Sequence, residues 1–423
     1  MLRRAALHRA AFVPVWLLVS VFVAGTCAGI EIAHYDFSGS IGIEGRWYPE
    51  SALHPGQRDH ASGFVLEPEF YIEDVEGRSF TLAPFFRYDA ADSRRTHVDL
   101  REAYLLMFGA MGDNEWELRL GVDQVFWGVV ESQRLVDVIN QVDFVEHPDG
   151  TAKLGQPMAH ATLSGDWGVL ELFGLPYHRA RTFTGRRGRL RLPLVIDDDN
   201  IRYESAAEEW HLDYAVRYSN SFGPLDLGLS VFDGTNREPA AQLEITPGGE
   251  LNLVQYYTQI RQFGLDAQLI LGDWLFKLEA IQRAGSLDLR GREEDYVATV
   301  IGVERTLYSI FDSVADITLF TEWHYDDRDR DAPPSRSPGT FENELFAAAR
   351  LAFNDVRSTE IVASFIGDLG RSSHSLAVGL DRRLSDNWSL HLEAIVLLGT
   401  DREDIHYSTR NDSFIELNLS YSF

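Results

Sequence analysis

Hydrophobic and polar residues alternate with a period of two along most of this chain. In the last segment, Ile415, Leu417, Leu419, Tyr421 and Phe423 share one face, and mostly polar residues lie between them. Such alternation predicts β-strands with one apolar and one polar face. The alternating segments run for roughly 9–13 residues, which matches the ~9–11 residues of a tilted membrane-spanning strand.

The pattern predicts eighteen strands, at residues 36–48, 62–74, 78–89, 96–108, 114–127, 157–165, 168–177, 210–221, 225–233, 260–271, 274–283, 294–306, 313–326, 343–354, 358–367, 373–384, 387–399 and 412–423. Sixteen strands is the alternative count. The segment from Leu243 to Tyr257 also has strand character, and an even count places it in a connection, as a hairpin. Glu102 falls on the apolar face of its strand, which predicts a β-bulge or a position at the rim of a membrane.

The connections between these strands alternate in length. Short turns, such as Gly272-Asp273, alternate with long excursions over 128–156, 178–209 and 234–259. Most of the tryptophans after residue 28 lie near predicted strand ends. Both features are typical of outer-membrane barrels. We therefore predict an all-β fold, a transmembrane antiparallel up-and-down β-barrel, because a closed sheet leaves no backbone edge unpaired in lipid.

The N-terminal segment has the organisation of a secretory signal. Three arginines precede an apolar stretch from Phe12 to Gly25, and Thr26, Cys27 and Ala28 follow. This predicts a cleaved Sec signal peptide over residues 1–28 and one barrel domain over 29–423. A lipoprotein anchored at Cys27 is the alternative, but it needs a smaller residue than threonine before the cysteine.

Composition excludes several classes of protein. The net charge of −27 argues against nucleic-acid binding. A single cysteine excludes a disulfide scaffold and a thiolate metal cluster. The common nucleotide-binding, zinc-protease and hydrolase motifs are missing from the sequence. We therefore expect no enzyme activity, no cofactor and no metal.

Charged residues on the polar faces of the strands are candidates to line a lumen. Eighteen strands enclose an interior wide enough for an aqueous channel, and a wall with both signs of charge suits small hydrophilic or charged solutes. The alternative is that these side chains pair across the lumen and hold the barrel in shape. The candidates are Arg87, Asp99, Arg101, Arg119, Asp123, Arg217, Lys277, Glu279, Arg350 and Arg383.

A basic cluster lies on a predicted outer loop. Its members are Arg179, Arg181, Arg186, Arg187, Arg189 and Arg191. The cluster could fold into the channel mouth and attract anions, or bind lipopolysaccharide phosphates. Alternatively, it pairs with Asp197, Asp198 and Asp199 and with other acidic loops. The charged run over 326–331 is interpreted as solvated loop.

The stretch GVDQVFWGVVESQRLVDVINQVD over residues 121–143 resembles a segment found in a family of proteobacterial porin-like outer-membrane barrels of mostly unassigned role. The matching positions are Trp127, Gly128, Arg134, Asp137, Asn140 and Asp143; Gln141 replaces the usual proline, and Asp123 precedes Gln124. We expect Trp127 to anchor at the outer interface and Gly128 to turn the chain. Residues 129–156 would then form a loop that constricts the lumen or clasps the wall.

The architecture also resembles alginate-export-type and substrate-selective porins with eighteen strands. The ending with Tyr421 and Phe423 resembles the signature that the barrel-assembly machinery reads. The resemblance implies a channel in the outer membrane of a Gram-negative bacterium, with outer-membrane lipid and lipopolysaccharide, a small solute and a possible homo-oligomer as partners. A barrel that exports or imports one larger or hydrophobic compound with periplasmic partners, and a surface structural or adhesive barrel, are the alternatives.

Overall fold

A computed structural model describes residues 31–245, 248–249, 251–288, 291–328, 343–370, 372–399 and 405–423. The predicted signal peptide lies outside these ranges, as do residues 329–331 of the charged run. Within these ranges, no helix is long and apolar enough to cross a membrane.

Eighteen strands form one continuous antiparallel sheet, and three more form a separate small sheet. The barrel strands are β1 (Ile32–Trp47), β2 (His60–Asp74), β3 (Ser79–Asp89), β4 (His97–Met111), β5 (Asn114–Asp123), β6 (Gln156–Gly165), β7 (Gly168–Leu175), β9 (Asp213–Phe222), β10 (Leu225–Thr235), β13 (Gln259–Leu271), β14 (Trp274–Leu287), β15 (Glu293–Leu307), β16 (Asp316–Asp326), β17 (Glu344–Ala352), β18 (Glu360–Asp368), β19 (His374–Arg383), β20 (Trp388–Leu398) and β21 (Phe414–Ser422). The small sheet contains β8 (Ile196–Tyr203), β11 (Ala240–Ile245) and β12 (Leu251–Tyr257). Short 3₁₀ helices span Glu208–Trp210, Ile310–Asp312 and Ile405–Thr409.

The sheet closes on itself because β1 pairs with both β2 and β21. Its last residue completes the closure: the Phe423 N–H donates to the Gly39 carbonyl at 3.0 Å, and the Gly39 N–H donates back at 3.1 Å. The Phe423 ring lies 5.4 Å from the Phe37 ring, and the Tyr421 ring lies 5.2 Å from that of Trp388. The prediction of an all-β antiparallel barrel with eighteen strands is confirmed, and the alternative of sixteen is wrong.

A bulge in β4 explains the unusual position of Glu102. Ala83 on β3 faces Glu102, but the next residue, Pro84, faces Leu100, so Arg101 is an extra residue in the ladder. One extra residue shifts the alternation by one position, which turns the Glu102 side chain to the same side as that of Arg101. The predicted bulge is confirmed.

The connections sort the barrel into a turn end and a loop end. The start of β1 at Ile32, the end of β21 at Ser422 and the short turns, such as Gly223-Pro224 between β9 and β10, lie at the turn end. The long connections lie at the loop end, where β11 and β12 form an antiparallel hairpin and β8 pairs in parallel with β12. The predicted hairpin over 243–257 is confirmed, whereas β8 has no counterpart among the predicted strands.

The two faces of the wall differ in chemistry. On β1, Ile41 and Ile43 point outward and are exposed, whereas Glu44 points inward and is buried. On β21, Leu417 points outward and Glu416 inward. The hydrophobic core therefore lies inside the barrel, against a connection that has folded into it.

Candidate functional site

Residues 124–155, between β5 and β6, fold into the barrel, and we call this segment the inward loop. Its apolar side chains pack against one half of the wall, and we call the set the apolar cluster. The loop contributes Val125, Trp127, Val136, Val138 and Ile139, and the wall contributes Met158, Phe173, Leu175, Ala215, Phe232, Ile260, Ile281, Tyr296 and Ala298. Burying one such side chain of valine size or larger stabilises by about 1.5–3 kcal/mol. The cluster therefore fixes the loop against β6–β7, β9–β10 and β13–β15.

The carboxylate of Glu279 on β14 fastens the backbone of the loop to the wall. It accepts hydrogen bonds from the N–H groups of Val129 (2.7 Å), Val130 (3.2 Å) and Val136 (3.2 Å). The Glu279 side chain is fully buried. A buried N–H without a partner costs about 1–3 kcal/mol, so this one side chain satisfies three groups that the apolar cluster alone would leave unpaired.

Glu322 on β16 holds the next residues of the loop in the same way. It accepts hydrogen bonds from the N–H groups of Glu131 (2.7 Å) and Ser132 (3.0 Å) and from the Ser132 hydroxyl. Lys277 Nζ donates to Glu131 Oε1 at 2.7 Å and pairs with Glu304 at 2.9 Å. Two wall carboxylates thus bind consecutive stretches of loop backbone.

Gly128 makes this close approach possible. Its φ of 112° lies in a region that favours glycine. A Cβ at this position would lie 2.5 Å from Glu279 Oε1 and 3.1 Å from Arg134 Cβ. The glycine of the sequence motif therefore allows the loop to bend against the wall carboxylate.

A buried ion pair and an amide join the two ends of the inward loop. Lys153 Nζ pairs with Asp137 and donates to the Val125 carbonyl at 3.0 Å. Asn140 Nδ2 donates to the carbonyls of Asp123 and Leu154, each at 2.9 Å. Burial raises the pKa of Asp137 and lowers the pKa of Lys153, in each case against the pull of the partner's charge. The charged forms of Asp137 and Lys153 are therefore stable in this buried position only as a pair.

The far side of the loop reaches the opposite wall. Asp143 pairs with Arg101 on β4 at 2.8 Å, and Glu146 pairs with Arg87 on β3 at 2.6 Å. His147 Nε2 lies 2.9 Å from a carboxylate oxygen of Glu393 on β20. The inward loop therefore spans the lumen from β14 and β16 to β20.

Trp127 does not lie at the outer interface, and that expectation was wrong. The ring is buried inside the barrel, edge-on to Phe173 at a centroid distance of 5.4 Å. The reason is that β5 ends at Asp123, four residues earlier than the alternation predicted. The chain has therefore already turned inward when it reaches the tryptophan.

A second connection, residues 176–195, lies across the loop end of the barrel, and we call it the crossing loop. Arg179 pairs with Asp99 on β4 at 2.7 Å, and the Thr182 hydroxyl donates to Asp143 of the inward loop at 2.6 Å. Arg189 pairs with Asp412 at 2.6 Å and with Asp59 at 3.0 Å, next to β21 and β2. The crossing loop thus covers the inward loop.

The six arginines of the basic cluster have different surroundings. Arg179 and Arg189 form the pairs given above, Arg181 donates to the Gln141 amide oxygen at 3.1 Å, and Arg191 donates to the Leu192 and Pro193 carbonyls. Arg186 and Arg187 are exposed. Asp198, one of the predicted acidic partners, pairs instead with Arg94. Arg186 and Arg187 therefore carry the exposed positive charge of this cluster.

This difference predicts unequal effects of mutation. Arg189→Met should lower the stability of the crossing loop by about 2–3 kcal/mol, because Asp412 would keep only its bond from the Leu190 N–H while buried. The double variant R186Q/R187Q should change it by less than about 0.5 kcal/mol. Hydrogen exchange of amides in residues 176–195 measures both effects. Equal losses of stability in the two variants would contradict the different roles given to Arg189 and to the pair Arg186 and Arg187.

The surroundings of His178 predict that the stability of the small sheet depends on pH. Its ring is buried between Tyr203 of β8 and Tyr257 of β12, at centroid distances of 5.6 and 4.4 Å. Burial, with Arg237 and Arg181 nearby, lowers its pKa well below 6.5. The unfolded state therefore binds a proton below pH 6.5 that the folded state excludes. The stability of the small sheet is therefore unaffected by His178 above about pH 6.5. Below that pH it falls by about 1.4 kcal/mol per pH unit, until the pH reaches the pKa of His178 in the folded state.

We expect amides of β8, β11 and β12 to exchange faster at pH 5.5 than at pH 7.5, after correction for intrinsic rates. The variant His178→Phe should remove this difference. His391→Gln, at the turn end of β20, should keep it. A pH response that survives in H178F would show that another group is responsible.

Part of the inner wall, on β17 and β19, is open to solvent. Arg350 on β17 and Asp381 on β19 have side chains that are 45% and 59% exposed. A cavity of about 250 Å³ lies against β19–β21, with Asp381, Arg383 and His391 in its lining. A solute inside the barrel would meet these side chains.

The predicted pore-lining residues fall into three groups. Arg87, Asp99, Arg101, Lys277 and Glu279 contact the inward or crossing loop through the bonds described above. Two further pairs bridge neighbours on the wall: Arg119 with Asp123 (3.2 Å) and Arg217 with Asp266 (2.8 Å). Arg350 lies 3.9 Å from Glu360, and Arg383 donates to Ser358 at 3.1 Å on the open wall. Of these predicted residues, Arg350 and Arg383 are the ones that are exposed.

Sequence reasoning missed Lys153, Glu322 and His147, which all fasten the inward loop. One signal was available, since the chain has only two lysines, Lys153 and Lys277. Both lysine side chains are buried and pair with acidic residues of the inward loop. Of the motif residues, Asp137, Asn140 and Asp143 make the contacts described above, and the Arg134 carbonyl accepts the Asp137 N–H at 3.4 Å.

Comparisons with known proteins give structural likeness only. No protein-family model and no curated protein sequence matches this chain. Among solved structures, OprB of Pseudomonas putida at high pH aligns over 92% of this chain and 94% of its own, with 8% identity and a TM-score of 0.47. A triple mutant of the Rhodopseudomonas blastica porin aligns over 92% of this chain and 100% of its own, with 11% identity and a TM-score of 0.43.

Proposed function

We propose that this chain is an outer-membrane β-barrel channel that passes small hydrophilic or charged solutes through the part of the lumen left open by the inward loop. The observation that carries the proposal is the two-faced wall, with exposed apolar side chains outside and charged side chains inside. The proposal places the turn end in the periplasm and the loop end at the cell surface.

The outward face supports a membrane location. Exposed apolar residues occur around the barrel, among them Ile43 on β1, Phe263 on β13, Val297 on β15 and Leu417 on β21. Soluble monomers rarely expose a contiguous apolar patch larger than a few hundred Å². In lipid the same surface is favourable, and a closed ladder satisfies every strand.

The inner wall supports passage along β17–β20. The apolar cluster occupies the opposite half of the lumen, whereas Arg350, Asp381 and Arg383 are exposed. Both signs of charge lie there, so the wall can solvate an anion or a cation. The inward loop would set the narrowest point of the path.

The test is conductance of the purified chain in a planar lipid bilayer. We expect steady, step-like conductance that scales with salt concentration. A barrel that inserts and is silent would contradict the channel and would favour the structural or adhesive alternative.

Charge selectivity tests the path itself. The double variant R350Q/R383Q removes two cations from the open wall and should shift the reversal potential in a salt gradient toward cation preference. R186Q/R187Q removes two cations from the crossing loop and should shift it less. A larger shift from the second variant would place the path under the crossing loop instead.

A further inference from the structure

An imidazole and two carboxylates converge where the inward loop meets β4. His97 Nε2 lies 3.6 Å from Asp143 Oδ2 and 3.6 Å from Glu146 Oε1. The three ligand atoms lie within 4.8 Å of one another. Distances of 3.6 Å are too long for hydrogen bonds, and they approach the edge of about 3.4 Å expected for a tetrahedral ion with ligands at about 2.1 Å.

Two of the three atoms that face this space have no hydrogen-bond partner. His97 Nε2 and Glu146 Oε1 are both buried and unsatisfied, and the Glu146 side chain is more than nine-tenths buried. Buried polar atoms are normally paired because desolvation without a partner is costly. A cation between the three groups would satisfy both atoms at once.

The surrounding contacts orient these groups as metal ligands are oriented. His97 Nδ1 lies 3.0 Å from the Arg95 carbonyl, which places a proton on Nδ1, so that a neutral ring presents the Nε2 lone pair to the space. Glu146 Oε2 pairs with Arg87, and Asp143 Oδ1 accepts the Thr182 hydroxyl. His97 and Glu146 are therefore held through atoms other than those that face the space, whereas Asp143 Oδ2 also accepts from Arg101 at 2.8 Å.

The charge balance also admits a cation. Among the described residues, the linked pairs around the site contain the carboxylates of Glu44, Asp89, Asp99, Asp143 and Glu146 and the guanidinium groups of Arg87, Arg95, Arg101 and Arg179. With a neutral imidazole, five negative charges thus face four positive ones.

We propose that His97, Asp143 and Glu146 bind a divalent first-row transition-metal ion that links the inward loop to β4. Imidazole together with carboxylate favours zinc or a neighbouring ion over calcium and magnesium, which prefer oxygen ligands alone. The site differs from the sequence-based expectation of no metal, because its ligands come from segments 46 residues apart. The metal site forms only in the folded chain, and the proposal of this site is independent of the proposed channel function.

The test is calorimetric titration of ZnCl₂ into the purified, chelator-treated full chain, without a polyhistidine tag. We expect the native chain to bind zinc at one site. His97→Gln should reduce the affinity of that site by more than about 100-fold, because removing a ligand should cost more than removing a ligand's hydrogen-bond partner, which costs about 10–100-fold. His160→Gln replaces another buried histidine beside a carboxylate, Glu171 at 3.2 Å, and should bind like the native chain.

Glu146→Gln gives a second test if H97Q does not fold, and it should also abolish the site. Absence of zinc binding by the native chain would overturn the proposal in favour of an imidazolium that bridges the two carboxylates. Zinc binding that survives both variants, or calcium binding tighter than zinc, would also overturn it.

Discussion

Replacing Glu279 with leucine is expected to release the inward loop and raise single-channel conductance several-fold. The variant leaves the N–H groups of Val129, Val130 and Val136 buried without an acceptor. At about 1 kcal/mol or more for each donor, the loss is at least about 3 kcal/mol. A loop that loses this anchor samples open positions, so the current should become larger and noisier.

Glu360→Leu is the matched control, because it makes the same change on the open wall, 3.9 Å from Arg350 and away from the backbone of the inward loop. Its stability should change by less than about 0.5 kcal/mol, and its conductance should not rise as in E279L. Equal conductance of E279L and the native chain, with unchanged exchange of loop amides, would show that Glu279 does not hold the loop.

Replacing Lys153 with methionine should be the most destabilising single change within the inward loop. It leaves the Asp137 carboxylate buried without its counter-charge and removes the donor to the Val125 carbonyl. Removing one partner of a buried ion pair costs about 3–5 kcal/mol. Hydrogen exchange of amides in residues 124–155 should report a fall of this size in the free energy of local opening.

The double variant D137L/K153M distinguishes the lost pair from lost packing. Replacing both partners by apolar residues of similar size is often neutral, so the double variant should recover most of the stability that K153M loses. A double variant as unstable as K153M alone would mean that the methylene packing of Lys153, and not its charge, stabilises the loop.

The barrel was predictable from sequence because its signal is local. Each strand repeats apolar and polar residues at every second position, and even the irregularity at Glu102 marked the bulge. The inward loop was predictable only in part. The motif over 121–143 indicated that a loop contacts the wall, but Glu279 lies 150 residues from Val129 along the chain, and no periodicity links them.

The wrong and missed predictions for the inward loop concern contacts between residues that are far apart along the chain. The alternating pattern of the fifth strand extends to Trp127, so the sequence placed this residue at a strand end. In the structure its side chain packs inside the barrel against Phe173 of β7. Glu322 and His147 carried no pattern of their own, since their partners lie 190 and 246 residues away. Packing inside a closed lumen depends on contacts between residues that are far apart along the chain, and a single sequence does not show which of these residues meet.

The most direct test of the account uses two adjacent residues of β21, Leu417 and Asn418. In a C27S background, L417C and N418C would each carry one spin label in lipid vesicles. We predict that the label at 417 collides mainly with oxygen dissolved in lipid and the label at 418 mainly with a water-soluble paramagnetic reagent. Equal aqueous access at both positions, or the reverse order, would contradict a membrane-spanning barrel with a water-filled lumen.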